Sequence, residues 1–336
     1  MKAATYKKSW LSLFVLSIVM LLLAACGNNA EEEGTESQGA EGGTDAKTEE
    51  AYTIEHAMGS TEIKGTPKKV VILTNEGTEA LLAMGVKPVG AVQSHLGEPW
   101  YEHISKDMEG VEVVGTESEV NIEAIAALQP DLIIGNKMRQ EKVYEKLSAI
   151  APTVFSETLR GDWQENFKLY AKALNREEEG KKVIDEFEAH VSEVKETAGD
   201  KLDQSVSVVR FMAGLTRVYY TDTFSGVIFD KLGLKHSSTV QELFTDNPDD
   251  LFVREVGKEV IPQMDADILF YFTFAPPGDT EATKTEEEWT NDPLWKNLNV
   301  VKEGKAYKVD DAIWNTAGGV IAANKLLDDL EKILTE

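Results

Sequence analysis

Residues 121–135, NIEAIAALQPDLIIG, set the fold class. The stretch reads as a helix from Asn121 to Leu128, closed by Gln129-Pro130, and then an apolar strand from Asp131 to Gly135. Residues 257–270, GKEVIPQMDADILF, repeat the arrangement. In each copy a Glu (Glu123, Glu259) opens the helix, and an Asp eight residues later (Asp131, Asp267) opens an apolar strand. An acid at a helix start is favoured by the macrodipole, which is a structural reason for both Glu. The matched spacing predicts two copies of one supersecondary unit, one in each half of the chain.

Outward from this repeat, apolar strands alternate with helices. Strands are expected at 68–73, 86–92, 111–114, 131–135 and 153–155, and again at 206–211, 216–220, 267–274 and 306–309. Helices are expected before Gly85, over 142–150, and from about Gly318 to Leu334. Continuous apolar strands separated by helices predict an α/β fold with mainly parallel sheets. Between the halves, Ile184, Phe187, Val191 and Val194 recur at helical spacing within 176–198, a segment without proline. About 23 residues at roughly 1.5 Å each give a helix of about 35 Å, long enough to join two lobes. The expected organisation is a leader at 1–25, a tether at 26–51, lobes at 52–175 and 200–336, and a bridging helix at 176–199.

The 336 residues include 59 acids and 34 Lys or Arg, a net charge of −25, which argues against a nucleic-acid partner. Lys2, Lys7 and Lys8 precede a 16-residue apolar run, Trp10 to Ala25, too short for an ordinary membrane span. Cys26 is the only cysteine, so no intrachain disulfide forms. It follows Leu23-Ala24-Ala25, and the combination resembles the lipobox of bacterial lipoproteins. That resemblance implies lipidation of Cys26 and a protein held at the outer face of the cytoplasmic membrane. Residues 27–51 hold eight acids against Lys47 and suit a solvated tether.

The lipobox, acidic tether, two α/β halves and bridging helix together resemble the substrate-binding lipoproteins of Gram-positive iron–siderophore ABC transporters. The most telling stretches are 121–139, 151–154 and 312–319 with 327–330, and the match is strongest to binders of citrate-hydroxamate siderophores of the schizokinen type. The resemblance implies a monomeric binding protein, not an enzyme, with a ferric siderophore in the cleft and no intrinsic cofactor. It also implies that Glu123 and Glu259, one per lobe, dock on an ABC permease dimer.

Only six arginines are present: Arg139, Arg160, Arg176, Arg210, Arg217 and Arg254. Guanidinium groups suit the carboxylates and anionic oxygens of such a chelate, and ligands sit beyond the carboxyl ends of strands. Arg139, Arg210 and Arg217 are therefore the candidate ligand contacts, with Tyr219 on the same strand face as Arg217 and Trp314 as a candidate cleft wall. A surface ion pair is expected for Arg254. The five histidines (His56, His95, His103, His190, His236) are scattered and form no metal-binding pattern. No G-x-S-x-G, P-loop or H-E-x-x-H motif occurs. Haem or cobalamin binding on the same fold is the alternative ligand reading, and a purely structural lipoprotein is the third.

Overall fold

The computed structural model describes residues 50–159 and 161–335. The leader, Cys26 and almost all of the tether lie outside the described residues, as does Arg160. Two β-sheets organise the body into two lobes. A two-stranded antiparallel hairpin, β1 (Ala51–His56) and β2 (Gly59–Lys64), leads into the first lobe. It turns at Gly59, whose φ of 121° suits glycine.

The first lobe holds β3 (Val70–Ile72), β4 (Gly90–Ala91), β5 (Glu112–Val113), β6 (Leu132–Asn136) and β7 (Thr153–Ser156). All pair in parallel, in the order β5-β4-β3-β6-β7. Every residue of β3, β6 and β7 is buried, which explains the apolar runs at their centres. The strand order reverses at β3 and β6, and in open parallel sheets that switch opens a crevice at the carboxyl ends.

The second lobe holds β8 (Ser205–Met212), β9 (Leu215–Tyr219), β10 (Lys235–His236), β11 (Val253–Glu255), β12 (Ile268–Thr273) and β13 (Ala306–Lys308), with β11-β9-β8-β12-β13 side by side and β10 beside the start of β8. This sheet is mixed. β12 runs parallel to β8 and β13, but a tight turn through Gly214 (φ 64°) makes β9 antiparallel to β8, and β11 antiparallel to β9. The turn places Arg210 directly opposite Arg217.

The internal repeat has a common physical role. The Asp131 carboxylate accepts the backbone N–H groups of Lys68 and Lys69, at the start of the neighbouring strand β3. Asp267 does the same for Ser205 at the start of β8, accepting from both its N–H and its hydroxyl. The helices differ: Ile122–Leu128 is an α-helix capped by Asn121, whereas Lys258–Met264 is a 3-10 helix interrupted by Pro262, which lacks the N–H an α-turn needs.

A 22-residue helix, Glu177–Ala198, joins the lobes and buries Gly180, Phe187, Val191, Val194 and Ala198. Gly180 permits close packing on the helix Trp163–Ala173, since a Cβ there would stand 2.6 Å from that of Ala171. The C-terminal helix Val320–Thr335 packs on this bridge and on the first-lobe helix Asn75–Ala83. There the buried Glu79 carboxylate accepts the N–H of Ala322 (2.9 Å) and pairs with His103 (2.5 Å).

Candidate functional site

Four first-lobe strands lead into segments that converge at one place. β3 passes through Leu73 into the helix Asn75–Ala83, where Thr74 caps the first turn by accepting from the N–H of Gly77 (3.1 Å). β4 leads to His95, β5 leads to Glu117, and β6 leads to the short helix Lys137–Gln140 that carries Arg139. Gln140 ties the loops together. Its amide donates to the carbonyls of Leu73 (3.1 Å) and Glu117 (2.7 Å), and its oxygen accepts the N–H of Asn136 (2.8 Å).

These loops face β8, β9 and the segment Asn315–Gly318 of the second lobe across a cleft of about 260 Å³. Glu76, His95, Glu117 and Arg139 line one side. Arg210, Arg217, Tyr219, Phe224, Phe252 and Phe274 line the other. The cleft thus brings together four of the five expected ligand residues: Arg139, Arg210, Arg217 and Tyr219.

Each arginine is held differently. Arg210, 6% exposed, makes a two-point pair with the buried Asp311, from Nε to Oδ2 (2.6 Å) and Nη2 to Oδ1 (3.1 Å). Its Nη1 donates to the Tyr219 hydroxyl (2.9 Å), and its plane lies 4.7 Å from the Phe274 ring centre. Burial opposes the guanidinium charge, but Tyr219 and Asp311 outweigh it and raise the Arg210 pKa. Arg217 pairs with its cross-strand neighbour Glu255 at the rim (2.7 Å), and its Nε is buried with no partner among the described residues. Arg139 is 43% exposed and only loosely held, 3.7 Å from Glu117. Its fork therefore stays available to an anion.

Glu117 anchors the first-lobe side. It accepts from the backbone and side-chain N–H groups of Asn75 (2.7 and 2.9 Å) and lies 3.4 Å from His95. Burial alone would raise its pKa, but the hydrogen bond and charge of His95 and the Asn75 donors bring it below the usual carboxylate value. Glu76 behaves oppositely: burial pushes its pKa up to about 8, against the lowering effect of hydrogen bonds from Tyr170 and Asn166.

Trp314 is a correction. It is wholly buried, tilted against Phe270 (4.6 Å between ring centres), with its indole N–H donated to Asp329 (2.8 Å). It is not among the residues that line the cleft. His95, read from sequence as one of five scattered histidines, is a cleft residue instead. Arg176 pairs with Glu179 away from the cleft, and Arg254 makes the expected surface pair, with Asp246 (3.4 Å), beneath which lies Phe244. Glu123 and Glu259 are both exposed and lie outside the cleft.

Glu76, His95 and Glu117 were missed, yet a signal existed. Each stands three residues beyond the last apolar residue of a strand run ending at Leu73, Val92 or Val114. The rule that ligands bind beyond strand carboxyl ends singles out those positions.

The profile of the periplasmic binding protein family matches residues 70–313. The chain belongs to that family. Over 326 residues it is 50% identical to the Bacillus subtilis protein named "Probable siderophore-binding lipoprotein YfiY", covering 97% of this chain and 98% of the relative. It is 28% identical to the Fe(3+)-citrate-binding protein YfmC of the same organism, over 98% of both chains. Staphylococcus aureus SirA, solved in complex with staphyloferrin B, superposes with a TM-score of 0.77 at 39% identity, over 84% of this chain and 98% of SirA. SirA shares the two-lobed α/β architecture with its linking helix.

Proposed function

We propose that this protein captures a ferric siderophore of the citrate-hydroxamate class outside the cytoplasmic membrane and delivers it to an ABC permease for iron uptake. One observation carries the reading: Arg139, Arg210 and Arg217, from both lobes, converge on one cleft whose walls also carry the aromatic rings of Tyr219, Phe224, Phe252 and Phe274. A chelate that presents carboxylate and other anionic oxygens complements that set, with the arginine forks as directional donors and the phenylalanines covering apolar parts of the ligand. The chelator supplies the iron's own ligands. The ligands printed for YfiY, YfmC and SirA, a siderophore, Fe(3+)-citrate and staphyloferrin B, support a ferric siderophore as the ligand.

Delivery is assigned to Glu123 and Glu259, which the repeat presents once per lobe on exposed helix starts. A permease dimer would receive one carboxylate per subunit, with charge complementarity fixing orientation and speeding encounter. Lipidation of Cys26, with residues 27–51 as a tether, would hold the body at the membrane face.

The binding site is tested with Arg139→Ala and Arg217→Ala. A charged hydrogen bond in a partly desolvated cleft contributes about 1.5–3 kcal/mol, or roughly ten- to a hundredfold in affinity. Each variant is expected to lose that much for ferric schizokinen while melting close to the wild type, because Arg139 is only loosely held, 3.7 Å from Glu117, and Arg217 pairs with the exposed Glu255. Wild-type affinity in both variants would remove the arginines from the site.

A further inference from the structure

A cleft built for an anion contains a second buried carboxyl group, and the reading above gives it no role. Glu76 sits in the first turn of the helix Asn75–Ala83, 7% exposed, with its remaining surface on the cleft. Its Oε1 accepts two hydrogen bonds, from the Tyr170 hydroxyl (2.7 Å) and the Asn166 amide (2.9 Å). Both donors are fixed from behind: Tyr170 by Ser156 (2.8 Å), and Asn166 by the carbonyl of Thr158 (2.7 Å). Oε1 is thereby saturated, and Oε2 has no partner among the described residues.

The charges around Glu76 come from every neighbouring element. Glu117, on the loop after β5, and Asp162, before the helix Trp163–Ala173, both act against a negative charge on it. Glu79, one turn along its own helix, is engaged with His103 and Ala322. Among the described residues, the basic groups of the cleft lie nearest to other carboxylates: Arg210 to Asp311, Arg217 to Glu255, and His95 and, more loosely, Arg139 to Glu117. Among the described residues, none forms an ion pair with Glu76. A carboxyl group so placed, buried beside two acids and served by neutral donors on one oxygen only, favours the neutral acid, and Oε2 is the oxygen free to carry the proton.

We infer that Glu76 is a specificity-determining residue, which donates a hydrogen bond from protonated Oε2 to a carboxylate oxygen of the bound ferric chelate. The inference rests on the ligand class proposed above. It explains how an acid can line an anion site: the neutral form adds a donor, whereas the ionised form would repel the ligand. It also predicts preference for chelates that keep a carboxylate oxygen available over neutral or cationic trishydroxamates.

The test is a titration of ferric schizokinen against pH, with ferrioxamine B as the trishydroxamate control, on wild type, Glu76→Gln and Glu76→Ala. Wild-type affinity should be level below about pH 8 and then fall by up to tenfold per pH unit as the ligand must bind against the ionised group. Glu76→Gln keeps a neutral donor, so it should bind a few-fold more weakly at pH 7 but without the alkaline loss. Any alkaline change in the chelate itself would appear equally in that variant. Glu76→Ala should be at least tenfold weaker at every pH below 8. Infrared spectra of the ligand-free proteins supply a readout independent of binding: a protonated-carboxyl band in wild type at pH 7 that Glu76→Gln lacks. An absent band overturns the inference, as does an alkaline loss as steep in Glu76→Gln as in wild type. If the band is present but wild type binds no carboxylate chelate at any pH, the ligand class is wrong, and the hydrogen bond proposed to it falls with it.

Discussion

Replacing Asp311 by Ala separates what the Arg210 pair does for stability from what Arg210 does for the ligand. Asp311 is 4% exposed and makes both charged hydrogen bonds to a guanidinium that is itself buried. Its removal leaves that guanidinium with only the Tyr219 hydroxyl as a hydrogen-bond partner among the described residues. Stranding one member of a buried pair costs about 3–5 kcal/mol. At a urea m-value of roughly 3 kcal/mol/M, the denaturation midpoint should fall by about 1–2 M with an unchanged slope. The rim pair provides the contrast, because Glu255 is largely exposed, and Glu255→Ala should cost no more than about 1 kcal/mol. The double variant Arg210→Met with Asp311→Leu removes both charges, and a buried ion pair replaced by apolar groups is often neutral or stabilising. It should therefore regain most of the lost stability while ferric schizokinen affinity stays down by at least about tenfold. Urea melts followed by tryptophan fluorescence and ligand titration of the same preparations decide the matter. A loss below about 1 kcal/mol in Asp311→Ala would refute the burial argument, and wild-type affinity in the double variant would refute the role of Arg210.

Two further outcomes follow from other parts of the molecule. His236 is buried against Tyr220 and Phe229 with neither ring nitrogen bonded among the described residues, and burial lowers its pKa to about 4. Above the unfolded value near 6.5 it is neutral in both states; as pH falls from there toward 4, only the unfolded chain takes up the proton. Stability should drop by roughly 3 kcal/mol over that window, and His236→Phe should remove that part of the acid loss in melts at pH 7 and pH 4.5. Charge reversal of both Glu123 and Glu259 to Lys should leave ferric-siderophore binding in solution intact but reduce siderophore-dependent iron uptake by cells with equal surface protein. Unchanged uptake would mean that both serve only as helix-start acids, worth a few tenths to about 1 kcal/mol of stability.

Much of the architecture could be read from local chemistry. Ile184, Phe187, Val191 and Val194 marked the bridging helix because one stripe faces its support. Asp131 and Asp267 marked equivalent strand starts because each satisfies backbone donors of the adjacent strand. The β1–β2 hairpin escaped notice because only Ile54 and Ile63 are buried within its strands, too few for a periodic signal. The antiparallel turn at Gly214 was equally silent, since β8 and β9 are each apolar enough for a parallel strand. In the cleft, arginine scarcity and strand ends picked out Arg139, Arg210 and Arg217. Their holders were not legible: Asp311 lies 101 residues from Arg210, a pairing fixed only by the tertiary fold. Trp314 was misplaced because its polar partner, Asp329, is supplied from inside by the C-terminal helix, which lets a large amphipathic ring be wholly buried.

The central claim, that the cleft takes iron only as an anionic chelate, is tested most directly by tryptophan quenching. The wild-type body would be titrated with ferric schizokinen, ferric citrate, ferrioxamine B, haem, cobalamin and bare Fe³⁺. Tight one-to-one binding of ferric schizokinen, weaker binding of the trishydroxamate and none of bare Fe³⁺, haem or cobalamin is the predicted result. Stoichiometric binding of the bare ion, or of haem or cobalamin in preference to the chelate, would contradict it.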